Sequence, residues 1–178
     1  MDNYICINGK KAELTAEQLK ALGIELPKPS PFERVGNTAN TFYNYYFISS
    51  TGSVDETYDG GYCNGNGTDD LRYRTANYCT DKEIMEQRAL HETLNRLLWR
   101  YSMEHDGNKI VWDLEFGKIP TKFFIHYKYG IKKPHWAVCN EYNLRQVDAV
   151  YFYTKEIAEA AIKEIIEPFM KAHPEFKF

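Results

Sequence analysis

The sequence has no long hydrophobic run. No stretch approaches the roughly 18 apolar residues of a membrane-spanning helix, so no membrane span is expected. Cysteine is scarce: Cys6, Cys63, Cys79 and Cys139 in 178 residues, no two in a C-x-x-C arrangement. That spacing gives no support to a zinc site or a thioredoxin-like pair. Cys6, Cys79 and Cys139 lie in strand-like runs, where a free thiol serves as a small hydrophobe. An excess of one charge is also missing. Lys and Arg number 22 against 25 Asp and Glu, a net charge of -3. This argues against a surface that coats nucleic acid throughout, and leaves room for a local basic patch. The opening Met1-Asp2-Asn3-Tyr4 lacks the basic-then-apolar pattern of a secretion signal. The expectation is therefore a soluble, intracellular, globular chain of one domain or two very small ones.

Catalytic signatures are missing as well. There is no G-x-S-x-G, no phosphate-binding P-loop and no H-E-x-x-H. The histidines His91, His105, His126, His135 and His173 are scattered. His91 and Glu92 are adjacent on a predicted helix, so they point about 100° apart and form no ready dyad. His126 and His135 can face each other across a hairpin, but two ligands fall short of a zinc site. No metal, cofactor or enzymatic activity is expected. The one enzymatic alternative is a nuclease drawing on the carboxylates of an acidic loop.

What is present is strong local grammar. Residues 4–14 predict a hairpin around Asn8-Gly9, the pair suited to a two-residue turn. Thr15 and Gln18 form a capping box, Leu14 and Leu19 a hydrophobic staple, and Gly23 a C-terminal stop for a short helix. This unit spans residues 1–26. A proline-rich linker follows over 27–41, then a main domain over 42–178. Residues 42–48 read as an aromatic strand, 51–70 as a polar loop, and 71–79 as the returning strand. A long helix then starts at Thr80, with Glu83 closing its capping box. Its apolar face carries Ile84, Leu90, Leu94, Leu97, Leu98 and Tyr101, and its polar face Arg88, Glu92, Arg96 and Arg100. Asp106-Gly107 ends it. Residues 110–116 are ambiguous, a short strand at most. Strands are expected over 123–129, 135–139 and 147–153. Thr154 caps a second amphipathic helix bearing Ile157, Ala161, Ile162, Ile165 and Ile166, which Pro168 ends or kinks. The tail is expected to be packed only by its aromatics. Residues 78–84 resemble 152–157 with one residue inserted. The predicted fold class is α+β: the N-terminal hairpin and short helix, then two ββα-like modules (about 42–106 and 107–178) with antiparallel sheet and two amphipathic helices sharing a core.

Two charged surfaces stand out. Residues 51–70 carry Asp55, Glu56, Asp59, Asp69 and Asp70 and no Lys or Arg. They read as a mobile solvated loop, as a surface presenting carboxylates to an Arg/Lys-rich partner, or as a Ca²⁺ loop whose spacing departs from the regular one. Residues 118–135 are the opposite, with Lys118, Lys122, Lys128, Lys132 and Lys133 and no acid. Tyr127, Tyr129 and Trp136 interleave with Lys122, Lys128, Lys132 and Lys133. Lysines neutralise phosphates and aromatics stack on bases, so this hairpin is a candidate for binding DNA or RNA directly. The alternative is an edge hairpin guarded by lysines. Arg72 and Arg74, with the Arg88, Arg96 and Arg100 stripe, extend the basic surface, and Glu86 and Glu92 partly offset it.

Several segments resemble small accessory proteins of phages and mobile elements in gut Firmicutes. They include Glu13-Leu14-Thr15-Ala16-Glu17-Gln18-Leu19, Ser30-Pro31-Phe32-Glu33-Arg34-Val35, Tyr78-Cys79-Thr80-Asp81-Lys82-Glu83, Leu94-Asn95-Arg96-Leu97-Leu98-Trp99-Arg100 and Pro168-Phe169-Met170-Lys171-Ala172-His173. The resemblance runs over nearly the whole chain. Proteins of this size and source include type II anti-CRISPR proteins, which inhibit Cas9. The resemblance implies an anti-defence role in the bacterial cytoplasm, as a monomer or homodimer, with a Cas9–guide RNA complex as partner. It carries no site residues with it. On that reading the acidic loop would occupy a basic channel of Cas9 in place of DNA, or the basic hairpin would touch guide RNA or target DNA. The alternative is a phage accessory protein that binds nucleic acid in replication or transcription.

Overall fold

Backbone pairing and helix caps divide the chain much as its local signals predict, with several corrections. The described residues of the computed structural model are 4–7, 10–13, 18, 21–23, 30–34, 44–59, 67–112, 121–129, 134–141 and 145–177. Strands β1 (Tyr4–Ile7) and β2 (Lys10–Glu13) pair antiparallel with Ile7 opposite Lys10, as a two-residue connection requires. The Asn8-Gly9 turn and the cap at Thr15 lie outside the described residues. Leu22 N–H donates to the Gln18 carbonyl at 3.1 Å, and Gly23 follows at φ +72°, the left-handed stop expected of it.

The first module begins with β3 (Asn44–Ile48) and β4 (Val54–Tyr58), paired antiparallel with Ile48 opposite Val54. Residues 54–58, expected as loop, are thus a strand. Backbone pairing with β3 holds them although Asp55 and Glu56 face solvent, and Gly52 at φ +90° closes the turn between the strands. The second correction concerns residues 71–79, expected as a strand. Thr68–Arg74 is a helix, α1, with Asp69 and Asp70 in its first turn and Arg72 and Arg74 in its last. That charge order suits the helix dipole, and none of its residues is buried, so the alternation of Leu71 and Tyr73 meets no sheet. Ala76 ends it at φ +55°. Its N–H reaches the Tyr73 carbonyl at 3.0 Å, and that of Asn77 reaches Arg72 at 2.8 Å, the paired bonds of a Schellman stop. The chain then returns to β3, where Cys79 and Tyr46 exchange both backbone hydrogen bonds.

Helix α2 (Lys82–Glu104) is capped by Asp81, whose carboxylate accepts the Ile84 N–H at 3.2 Å. The predicted cap, Thr80, is occupied elsewhere: its N–H and hydroxyl both donate to the Pro31 carbonyl. Met85, Ala89, Leu94 and Tyr101 form the buried stripe, while Ile84, expected in it, is exposed. Past the helix, Asp106 takes φ +66°. Gly107 lies so close to Ser102 that a Cβ there would sit 2.6 Å from its carbonyl oxygen. No other residue fits.

The second module is a three-stranded antiparallel sheet of β5 (Lys122–Lys128), β6 (His135–Glu141) and β7 (Tyr151–Phe152), in the order β6-β5-β7. The strand expected over 147–153 shrinks to two residues, because the chain turns at Asp148 with φ +68°. Residues 110–112 form no strand, and the rest of that ambiguous segment lies outside the described residues. Thr154 caps α3 (Lys155–Ala161) as predicted, its hydroxyl accepting the Ile157 N–H at 3.3 Å. The helix then widens into a π-turn over Ile162–Ile166 and continues as α4 (Glu167–Ala172). Pro168 explains the widening. It has no N–H to donate, and its ring would press on the carbonyl four residues back; a wider turn relieves both problems without ending the helix.

The architecture is α+β. Both modules follow one order: a hairpin, a third segment on the free edge of the hairpin's first strand, then a capped helix. Aligned on their caps, residues 78–84 (Tyr-Cys-Thr-Asp-Lys-Glu-Ile) match 151–157 (Tyr-Phe-Tyr-Thr-Lys-Glu-Ile) with no insertion. Helix α2 serves both modules. Met85 and Ala89 pack with Ile48 and Cys79 of the first. Leu94 packs with Ile166, Phe169 and Phe176, and Tyr101 with Phe152, Ala158 and Ala161 of the second. Phe152 and Ile166 are fully buried, each worth about 1.5–3 kcal/mol. Among the described residues no helix is long and apolar enough to cross a membrane.

Candidate functional site

The acidic region folds inward. Asp59 lies just past β4 with no exposed surface. Arg34 grips it as a fork, Nε to Oδ2 at 2.9 Å and Nη2 to Oδ1 at 3.2 Å, and the Tyr78 hydroxyl donates to Oδ2 at 3.2 Å. Nη1 of Arg34 reaches Asp70 at 3.0 Å. Asp69 accepts from the Tyr45 hydroxyl at 2.5 Å, and that hydroxyl accepts from Arg72 at 2.9 Å. Tyr45 and Tyr78 stack at 4.1 Å between ring centres. Burial, and then the hydrogen bond to Asp69, push the Tyr45 phenol up to about 12. Arg74 lies 3.8 Å from Asp70. Of the five acids expected to face a partner, Asp59, Asp69 and Asp70 therefore balance Arg34, Arg72 and Arg74. Asp55 and Glu56 are exposed on β4, where Asp55 accepts from Ser53 and Glu56 from Asn44. Arg72 likewise turns to these acids, while Arg74 pairs with Asp70 and keeps its side chain 73% exposed. The network also ties residues 30–34, placed by sequence in a linker, to the first module.

The hairpin of β5 and β6 has two different ends. At the base, Lys122 is 2% exposed, its ammonium 4.6 Å from the Trp112 ring centre. The Arg145 guanidinium lies 5.0 Å from the same ring, and Trp112 meets Tyr151 edge-on. Lys122 is thus an interior residue. At the tip, Tyr127 lies opposite Trp136 with ring centres 5.1 Å apart, and Tyr129 meets Tyr127 at 5.4 Å. Tyr129 is 73% exposed, and Lys128 beside it is exposed too. Lys132 and Lys133 lie outside the described residues. The structure brings Tyr127, Lys128, Tyr129 and Trp136 together and separates Lys122 from them.

The histidine pair is offset: His126 stands opposite Ala137, and His135 opposite Lys128. His126 Nε2 lies 3.4 Å from the Cys139 sulfur. Burial, with Lys128 and His135 adding like charge, holds its pKa below the ordinary imidazole value. Among the described residues no cluster of three or more His, Cys, Asp or Glu side chains is placed to hold a metal ion. On α2, Glu92 joins Arg88 and Arg96, each at 2.9 Å, as the i,i+4 stripe predicts. Trp99, 59% exposed, stands beside this stripe. Its spacing from Arg96 and its place outside the apolar stripe were the signal available in the sequence. Compared with known protein families, curated proteins and solved structures, the chain matches none.

Proposed function

We propose that the protein is an accessory protein of a phage or mobile element that disarms a host defence complex by binding it. Its proposed target is a Cas9–guide RNA complex in the bacterial cytoplasm. The resemblance of its sequence to such accessory proteins supports the role. The observation that carries the mode of action is the hairpin tip, where Tyr127, Tyr129 and Trp136 gather beside Lys128. Aromatic faces beside a cation suit contact with RNA or DNA. The acidic region is the weaker docking element, because three of its five carboxylates balance arginines within the protein.

The test is target-DNA cleavage by Cas9 and guide RNA, with the protein added before guide loading, after loading or after DNA binding. Inhibition that survives Asp55→Asn with Glu56→Gln and is lost in Tyr129→Ala with Lys128→Ala is the expected result. No inhibition across several Cas9 orthologues overturns the reading. The same hairpin tip favours the second reading, a nucleic-acid-binding accessory protein in replication or transcription. It predicts salt-dependent DNA or RNA binding with no protein partner present.

A further inference from the structure

A furrow runs along α2. Two depressions of about 590 and 440 Å³ adjoin, with Glu92, Asn95 and Asp148 lining both. One wall is α2 from Arg88 to Trp99, a length of roughly 16 Å at the helical rise, with Leu94 and Leu98 lining it beside the polar residues. The other wall is Trp136 of the hairpin and the segment from Arg145 to Val150. Its charged lining is three guanidiniums (Arg88, Arg96, Arg145) and two carboxylates (Glu92, Asp148), a net +1 within a chain of net charge -3. Glu92 pairs with both Arg88 and Arg96, and Arg88 also donates to the Ala76 carbonyl. Aromatic rings mark both ends. Trp99 closes one, and at the other Trp136 continues into Tyr127 and Tyr129 at the hairpin tip.

We infer that this furrow seats a short single-stranded segment of nucleic acid. Bases stack on Trp99 at one end and on the Trp136–Tyr127–Tyr129 group at the other, and the arginines between them meet the phosphates. Stacking accepts every base because each has a π-face, so the site is tolerant of sequence. The inference deepens the proposed function and rests on its reading of the hairpin tip as a nucleic-acid contact.

The experiment is a fluorescence titration of the full chain with oligouridylate and oligothymidylate of about 12 nucleotides, a length within the site sizes of single-strand binders. Quenching of tryptophan emission that saturates is expected, with affinity falling as salt rises. Three phosphate contacts give a slope of about -2 in log K against log salt for a single strand. Trp99→Ala and Arg145→Ala are each expected to weaken binding about tenfold, and Trp99→Phe to keep it within a few-fold, with circular dichroism unchanged. No quenching by either oligomer at low salt overturns the inference, as does binding that ignores both alanine variants. Running the same proteins in the Cas9 assay separates the two readings. Inhibition without oligomer binding keeps the function and removes the furrow, and if Trp99→Ala then abolishes inhibition, the surface meets protein. Oligomer binding lost in Trp99→Ala, without inhibition of any Cas9, keeps the furrow and removes the function.

Discussion

Asp59 and Arg34 show how one residue's role depends on a distant partner. A carboxylate with no exposed surface is stable only when its charge is answered, and Arg34 and Tyr78 supply that answer from 25 and 19 positions away. The adjoining Tyr45 gives a direct test. Its phenol is buried and donates to Asp69, so the folded state holds the proton up to about pH 12, above the ordinary value of 10.0. A group with a raised folded pKa contributes stability that is fully present below its unfolded pKa and is lost as pH rises through the folded one. Stability is therefore expected to fall between pH 10 and about 12, and Tyr45→Phe to flatten that part of the curve. Urea unfolding across this pH range measures it; an unchanged slope in Tyr45→Phe places the pH dependence on another group. At this scale the sequence was legible where a signal is local. Gly23, Thr154 and Asp106 stand where their chemistry puts them. Thr80 was expected as the cap and Asp81 is the cap; both residue types suit the position, and the choice is made by Pro31, which takes both donors of Thr80. The inward turn of the acids was illegible because nothing local ties residue 34 to residue 59.

Elements with buried faces were legible, and elements without them were not. Helix α2 shows its apolar stripe and its Arg–Glu–Arg ladder in sequence, and β5 and β6 show their aromatic alternation. Helix α1 buries nothing and β4 carries two exposed acids, so periodicity had no face to report in either. The C-terminal tail holds more than its aromatics suggested. Phe176 is buried against Leu94, Ile166 and Phe169. Gln87 on α2 pairs with the tail backbone on both sides, donating to the Glu175 carbonyl at 2.9 Å and accepting the Lys177 N–H at 2.8 Å. Lys177 also meets Glu83. Removing the ring in Phe176→Ala is expected to destabilise the protein by about 3 kcal/mol, as other buried phenylalanines do. Gln87→Ala loses two half-exposed hydrogen bonds and is expected to lose about 1 kcal/mol. Denaturant midpoints of the two variants decide this, and equal losses would mean that the hydrogen bonds and not the ring fasten the tail.

For the whole molecule, the central question is whether two similar modules behave as one. Each alone has a small sheet, and the described strands of each cover only one or two helical faces. What joins them is α2, whose first half packs on β3 and Cys79 and whose second half packs on β5, β7 and α3. A helix of 23 residues cannot melt at one end without loosening the neighbouring turns, because its hydrogen bonds form cooperatively. Met85→Ala in the first half therefore has a consequence in the second. Met85 is 1% exposed, and its truncation is expected to cost about 2–4 kcal/mol. The tryptophans Trp99, Trp112 and Trp136 all lie at or beyond the second half of α2. Their fluorescence reports that half alone, while far-ultraviolet circular dichroism reports both. If α2 couples the modules, Met85→Ala shifts the fluorescence and dichroism midpoints in urea together, by the same amount, with one transition in each. A fluorescence midpoint that stays in place while the dichroism splits into two steps would show two independent modules joined by a helix. The furrow would then straddle the division, with Trp99, Trp136 and Arg145 on the second module's side and Arg88, which donates to the Ala76 carbonyl, on the first's.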